Sequence, residues 1–279
     1  NSNDLDAMTI TGNLDLDAAI ANTTSIGVSG TSNLGANVTT SGTQTYTGAT
    51  TLSGGDRTLT GSTVNFGNTL TGTASHDLII TGNLDLDGAL TDVVDLSVSG
   101  TSNLGANVTT SGTQTYTGAA TLSGGDRTLT GSTVNFGSTL TGTGSHDLTI
   151  TGNLDLDGAL TSVVDLSVSG TSNLGANVTT TGTQTYTGAT TLSGGDRTLT
   201  GSTMNFGSTL TGTGSHDLTI TGNLDLDGAL TSVVDLSVSG TSNLGANVTT
   251  SGTQTYTGAV TLSGGDRTLT ATTVNFGST

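Results

Sequence analysis

Three motifs in this 279-residue chain carry residue types that could do chemistry, and each returns at a fixed interval. NLDLD sets two carboxylates two positions apart, at Asp15/Asp17, Asp85/Asp87, Asp155/Asp157 and Asp225/Asp227. On an extended strand both project from the same outward face, which is the beginning of a calcium site. A tight calcium site takes six to eight oxygens, so a bare pair reads as a solvated acidic ridge. SHD places His76, His146 and His216 beside Asp77, Asp147 and Asp217. A Ser-His-Asp string suggests a hydrolase, but a triad is a spatial arrangement and no nucleophile elbow accompanies this one. The expected role is a corner histidine. SGGD at 193–196 matches a fragment of the calcium-binding repeat G-G-x-G-x-D-x-U-x without its short recurrence. The following Asp196-Arg197 pair is expected to border a turn.

Recurrence argues against catalysis. Each polar cluster returns almost unchanged every 70 residues, whereas a solenoid enzyme needs one irregular cleft. No catalytic, cofactor-binding or metal-ligating residue is assigned, and no cofactor is expected. No glycine-rich phosphate loop occurs, because no Lys exists in the chain to follow one. NVT at 37–39, 107–109, 177–179 and 247–249 matches the glycosylation sequon, which matters only in a host that modifies it.

Composition narrows the partners. All 21 acidic residues are Asp, four Arg supply the only permanent positive side chains, and the net charge is −17. Phosphate backbones and anionic lipid surfaces are therefore poor partners. No apolar run is long enough for a membrane-spanning helix, so no membrane insertion is expected. Cys is absent, which excludes disulfides. The apolar fraction, 31%, is low for a globule. Disorder is opposed by the β-branched character of the polar residues and by clean alternation of apolar and polar positions.

The elements that must carry these motifs belong to one repeat. Units start at 11, 81, 151 and 221, and the last reaches Thr279. Residues 221–279 differ from the preceding unit at five positions: Thr181/Ser251, Thr190/Val260, Gly201/Ala271, Ser202/Thr272 and Met204/Val274. Residues 1–10 read as the tail of another unit, so the expected organisation is one continuous solenoid over 1–279, broken in mid-pattern at each end. Within a unit, LTITGNLDL at 148–156 is echoed after 18 residues by LSVSGTSNL and after another 18 by QTYTGATTL. The next echo, TLTGSTMNF at 198–206, comes early. Four coils averaging about 17.5 residues fit this pattern, and three of about 23 remain open. Leu154 and Leu156 alternate with Asp155 and Asp157, a period of two that predicts strands, and helical spacing is missing. The fold class is thus all-β, a parallel β-helix, in which each thin coil is covered by its neighbours. In QTYTG, Tyr186 is expected inside, Gln184 near a corner, and Thr185 and Thr187 outside.

The run VTTSGTQTYTGAATLSGGDRTLTGSTVNFGSTL at 108–140 resembles the passenger repeats of secreted bacterial adhesins of the filamentous-haemagglutinin and autotransporter type. The resemblance implies a right-handed parallel β-helix exported to the outer surface of a Gram-negative bacterium. The function expected from the whole is a structural region of a cell-surface adhesin or extracellular filament, associating end to end. A module binding glycan or host protein along its flat faces is the alternative. Ice binding is the lesser one: it needs threonines stacked in successive coils, and identical residues here lie about four coils apart.

Overall fold

Threonine, valine and leucine in alternation favour extended backbone with one face buried, and the chain obeys this throughout. The computed structural model describes residues 6–72, 76–143, 145–212 and 215–278. Among them every regular element is a strand, and the pairings are parallel. Of the tail-like segment 1–10, residues 1–5 lie outside the described residues, and Met8–Ile10 is a strand. The TGTGSHD corners also fall partly outside them, at 144 and 213–214. The chain divides into two compact units, 1–139 and 140–279, and each is a β-solenoid.

In the 140–279 unit the turns have three walls. One stacks Leu154–Leu156, Ser172–Leu174, Thr190–Leu192, Leu210–Gly212, Leu230–Val233, Val248–Thr250 and Leu269–Thr270. The second wall stacks Leu160–Val163, Val178–Thr180, 197–200, 218–221, Leu236–Val238, 254–256 and 274–276. A third runs from 148–150 through Leu166–Val168, 184–186, 203–206 and 223–226 to Ser242–Leu244 and Val260–Leu262. The 1–139 unit repeats the scheme, with its walls opening on Met8–Ile10, Leu14–Leu16 and Ile20–Thr23.

The early echo is explained by these walls. Each nine-residue module spans two walls around a corner: Leu148–Leu156 pairs with Leu166–Val168 on one side and Ser172–Leu174 on the other. Modules start at 148, 166, 184, 198 and 218, so the steps are 18, 18, 14 and 20 residues. The 14-residue step crosses only two walls: Met204, not Thr198, stands opposite Gln184. One 70-residue repeat therefore makes three and two-thirds turns, close to the four-coil reading and far from three long coils. Equivalent residues in successive repeats lie on adjacent walls. Tyr186 is on the third wall and Tyr256 on the second.

Inward residues form the core. Leu156, Val168, Leu174, Tyr186, Leu199, Phe206 and Ile220 are all buried, and each such apolar side chain contributes roughly 1.5–3 kcal/mol. Tyr186 stacks on Phe206 of the next turn, with ring centroids 5.2 Å apart and planes 11° apart. Gln184 lies just past the bend at 181–182, near the corner expected for it, and is fully buried beside Tyr186. Its amide donates to Val178 O at 3.3 Å and Thr200 O at 2.8 Å, and its Oε1 accepts from the Tyr186 hydroxyl at 3.0 Å. A side chain that satisfies three neighbours is tolerated inside where a free amide would not be.

Two corner devices recur. The nine-residue strands turn at a glycine with positive φ, +138° at Gly222, where a Cβ would collide with the Gly201 carbonyl of the turn below. The shorter corner is a β-bulge in Leu160–Val163 and Leu230–Val233, with Ser162 and Ser232 held at φ 59° and 60°.

Candidate functional site

The first carboxylate of each NLDLD joins one turn to the next. Asp155 Oδ1 accepts from Asn173 Nδ2 at 2.7 Å, and Asn173 Oδ1 accepts from Ser193 Oγ at 2.7 Å, one turn further on. Asp15–Asn33–Ser53 and Asp85–Asn103–Ser123 repeat the ladder. Asp157 lies beyond the strand end and is exposed. Among the described residues no group of three or more acidic, His or Cys side chains is placed to hold a metal ion.

A second carboxylate series climbs a corner. Asp196 Oδ1 accepts from the Asp217 N–H at 3.0 Å, Asp217 Oδ1 from the Asp235 N–H at 3.1 Å, and Asp235 Oδ1 from the Thr253 N–H at 2.5 Å. Asp56, Asp77 and Asp95 do the same in the other unit. The histidine belongs to this corner. His216 Nδ1 lies 3.7 Å from Asp196 Oδ1, and His76 Nδ1 3.8 Å from Asp56 Oδ1. Adjacency in sequence pointed to Asp217 and Asp77, whereas the fold supplies the aspartate of the preceding turn. The sequon asparagines are turn ties as well: Asn177 Oδ1 accepts from the Thr198 N–H at 3.0 Å.

SGGDR forms a clasp that sequence reading reduced to a turn border. Gly194 and Gly195 take φ 78° and 147°, wrapping the chain around its own arginine. Arg197 is buried and donates from Nε to Leu174 O at 2.9 Å, from Nη1 to Asp196 O at 2.6 Å, and from Nη2 to Ser193 O. These acceptors are carbonyls of two successive turns. Burial pulls the guanidinium of Arg127 and of Arg197 below its usual value, and the preceding aspartate partly offsets this.

The walls also build a threonine column that the sequence reading missed. Thr191 stands opposite Thr211, and Thr211 opposite Thr231; past the bulge the wall continues with Thr249 opposite Thr270. Thr51, Thr71 and Thr91, then Thr109 and Thr130, form its counterpart in the 1–139 unit. Comparison of identical copies hides the column, because the 14-residue step brings threonines from different module positions into line. Non-identical threonines thus stack in successive turns, although identical residues lie about four coils apart.

Phe276 is 54% exposed where Phe206 is 1%, and Leu262 is 55% exposed where Leu192 is 4%. Two open crevices among the described residues are small and lined by Thr and Ser with Val233 and Val234, or by Asn22 with Thr and Ser. Scanned against protein-family models, curated proteins and solved structures, the chain matches none of them.

Proposed function

We propose that this chain is a structural region of a secreted adhesin or extracellular filament on the outer surface of a Gram-negative bacterium, non-catalytic and associating end to end. The observation that carries the reading is the use of the outward polar residues. Asp155, Asn173, Ser193, Asn177 and the Asp196–Asp217–Asp235 series all bond one turn to the next, so polar groups that could hold a substrate hold the solenoid. The resemblance of residues 108–140 to adhesin passenger repeats supports the location. Sedimentation and low-concentration imaging of the purified chain test the association: particles of more than one chain length, growing with concentration, are expected. Single chains at every concentration would sink the filament reading.

The threonine column favours a second reading, a neutral hydroxyl-and-methyl face on a strongly acidic protein, suited to ordered water or to an uncharged glycan. Thermal hysteresis in a freezing assay, or retention on a glycan surface that is lost in Thr211→Lys, is the expected sign. Neither would appear for a purely mechanical shaft.

A further inference from the structure

We propose that the four NVT asparagines, Asn37, Asn107, Asn177 and Asn247, are acceptors for an N-linked sugar. The inference concerns the sides of the solenoid and is independent of the end-to-end association above.

Strand geometry sets up the acceptor. Asn177 and Thr179 are two positions apart on extended backbone, so both project outward, and Val178 between them is fully buried. The Asn and the Thr are exposed in all four copies. This is the pairing that the sequon demands: the amide takes the sugar, and the hydroxyl beside it is read by the transferring enzyme. Gly175 and Ala176 precede Asn177, and Gly158 and Ala159 lie on the turn below, where Leu160 N–H donates to Asn177 O. Such small neighbours leave room for a bulky group.

The amide is also held the right way round. Asn177 Oδ1 accepts from the Thr198 N–H at 3.0 Å, and a backbone N–H donates to the oxygen of an amide, so the nitrogen is the free end. Asn37, Asn107 and Asn247 receive Thr58, Thr128 and Thr268 alike, at 3.0, 2.9 and 2.9 Å. Among the described residues neither Asn177 Nδ2 nor the Thr179 hydroxyl has a hydrogen-bond partner. An N-glycosidic bond leaves Oδ1 in place, so the tie between turns survives the modification. Asn173 is the contrast: its nitrogen donates to Asp155, and a sugar there would break the rung. In the 140–279 unit Asn177 precedes a strand of the second wall and Asn247 one of the first, so sugars are carried on two sides.

The donor is a sugar joined through its anomeric carbon to a diphosphate. Nδ2 forms a bond to that carbon as the C–O bond to phosphate breaks. The diphosphate leaves with the bonding pair, and the amide proton passes to a base of the transferase.

The positions of arginine make the test direct. The chain has no Lys, and tryptic fragments ending at Arg57, Arg127, Arg197 and Arg267 each hold one NVT. The first also holds Asn22-Thr23-Thr24, with Asn22 on a bulge at φ 62°, so the three later fragments carry the test. The chain is isolated from the cells that produce it, unfolded, cut and weighed. Whole-sugar increments located on Asn107, Asn177 and Asn247 are expected. Single-sugar steps identify a nucleotide-linked donor and one fixed oligosaccharide a lipid-linked donor, and either supports the proposal. Thr179→Ala is expected to lower occupancy at Asn177 at least tenfold with the other fragments unchanged, and Thr179→Ser to restore it. Sugar-free fragments, sugars on hydroxyls instead, or undiminished occupancy in Thr179→Ala overturn the proposal while the structural reading stands. Faster amide exchange at Thr198 on modification would contradict the retained tie.

Discussion

Tyr186 and Gln184, two residues apart on one strand, hydrogen-bond to each other inside the solenoid: the phenol donates to the amide oxygen at 3.0 Å. Both side chains are fully buried, and Gln184 also donates to carbonyls of its own turn and the next. The pair therefore links a wall to a corner from within. Gln184→Ala leaves the buried phenol without its acceptor and removes the amide's bonds to Val178 O and Thr200 O, and is expected to cost about 2–4 kcal/mol. Tyr186→Phe leaves only Gln184 Oε1 unsatisfied and should cost about 1–3 kcal/mol. Urea unfolding of both variants checks the order.

The buried tyrosines give an alkaline limit. Burial pushes Tyr46, Tyr116, Tyr186 and Tyr256 well above their ordinary value of 10.0. Unfolded tyrosine ionises near pH 10 while the folded phenol keeps its proton, so the unfolded state binds fewer protons and stability falls as pH rises beyond that point. Stability is expected to be insensitive to these groups below about pH 9 and to decline steeply above pH 10. Tyr186→Phe should lessen the slope. Thermal melts between pH 8 and 12 make the comparison.

Arg197→Lys keeps the charge and loses the fork that reaches Leu174, Asp196 and Ser193 carbonyls together. A loss of about 2–3 kcal/mol is expected, with faster amide exchange confined to 193–198 and the turn below it. Exchange spread evenly over the 140–279 unit would contradict a local clasp.

The corner carboxylates repel one another in a chain of net charge −17. Asp217→Asn preserves an oxygen for the Asp235 N–H and removes one charge from the series. It should stabilise by about 0.3–1 kcal/mol at low salt, and the gain should shrink as salt screens the remaining pair. Melts in 10 mM and 1 M NaCl decide this.

Fold class was legible because alternation and an 18-residue echo both survive in the sequence. Leu148, Leu166 and Gln184 stack as that echo implies. The early echo at 198–206 was visible as well, but its meaning was not, since a 14-residue step names no wall until Met204 is seen opposite Gln184. That gap concealed the threonine column. The corner place of Gln184 was legible but its burial was not, because sequence shows an amide but not the carbonyls of Val178 and Thr200 that receive it. Asp155 and Asp157 were read as one strand face, but Asp157 lies beyond the strand end, and the amide partner of Asp155 is 18 residues away. His216 found its carboxylate through stacking, at a distance adjacency does not reveal.

The two-thirds step has a genetic corollary. Leu148–Leu156 turns from the third wall to the first, while its near-identical counterpart Leu218–Leu226 turns from the second to the third. One stretch of sequence is thus accepted on different sides of the same unit. Recombination between near-identical coding copies, adding or deleting a whole 70-residue block, would deliver strands that still find compatible neighbours. Deletion of a few residues would instead shift register and turn apolar side chains outward. Length is free to drift in whole blocks, and little else is.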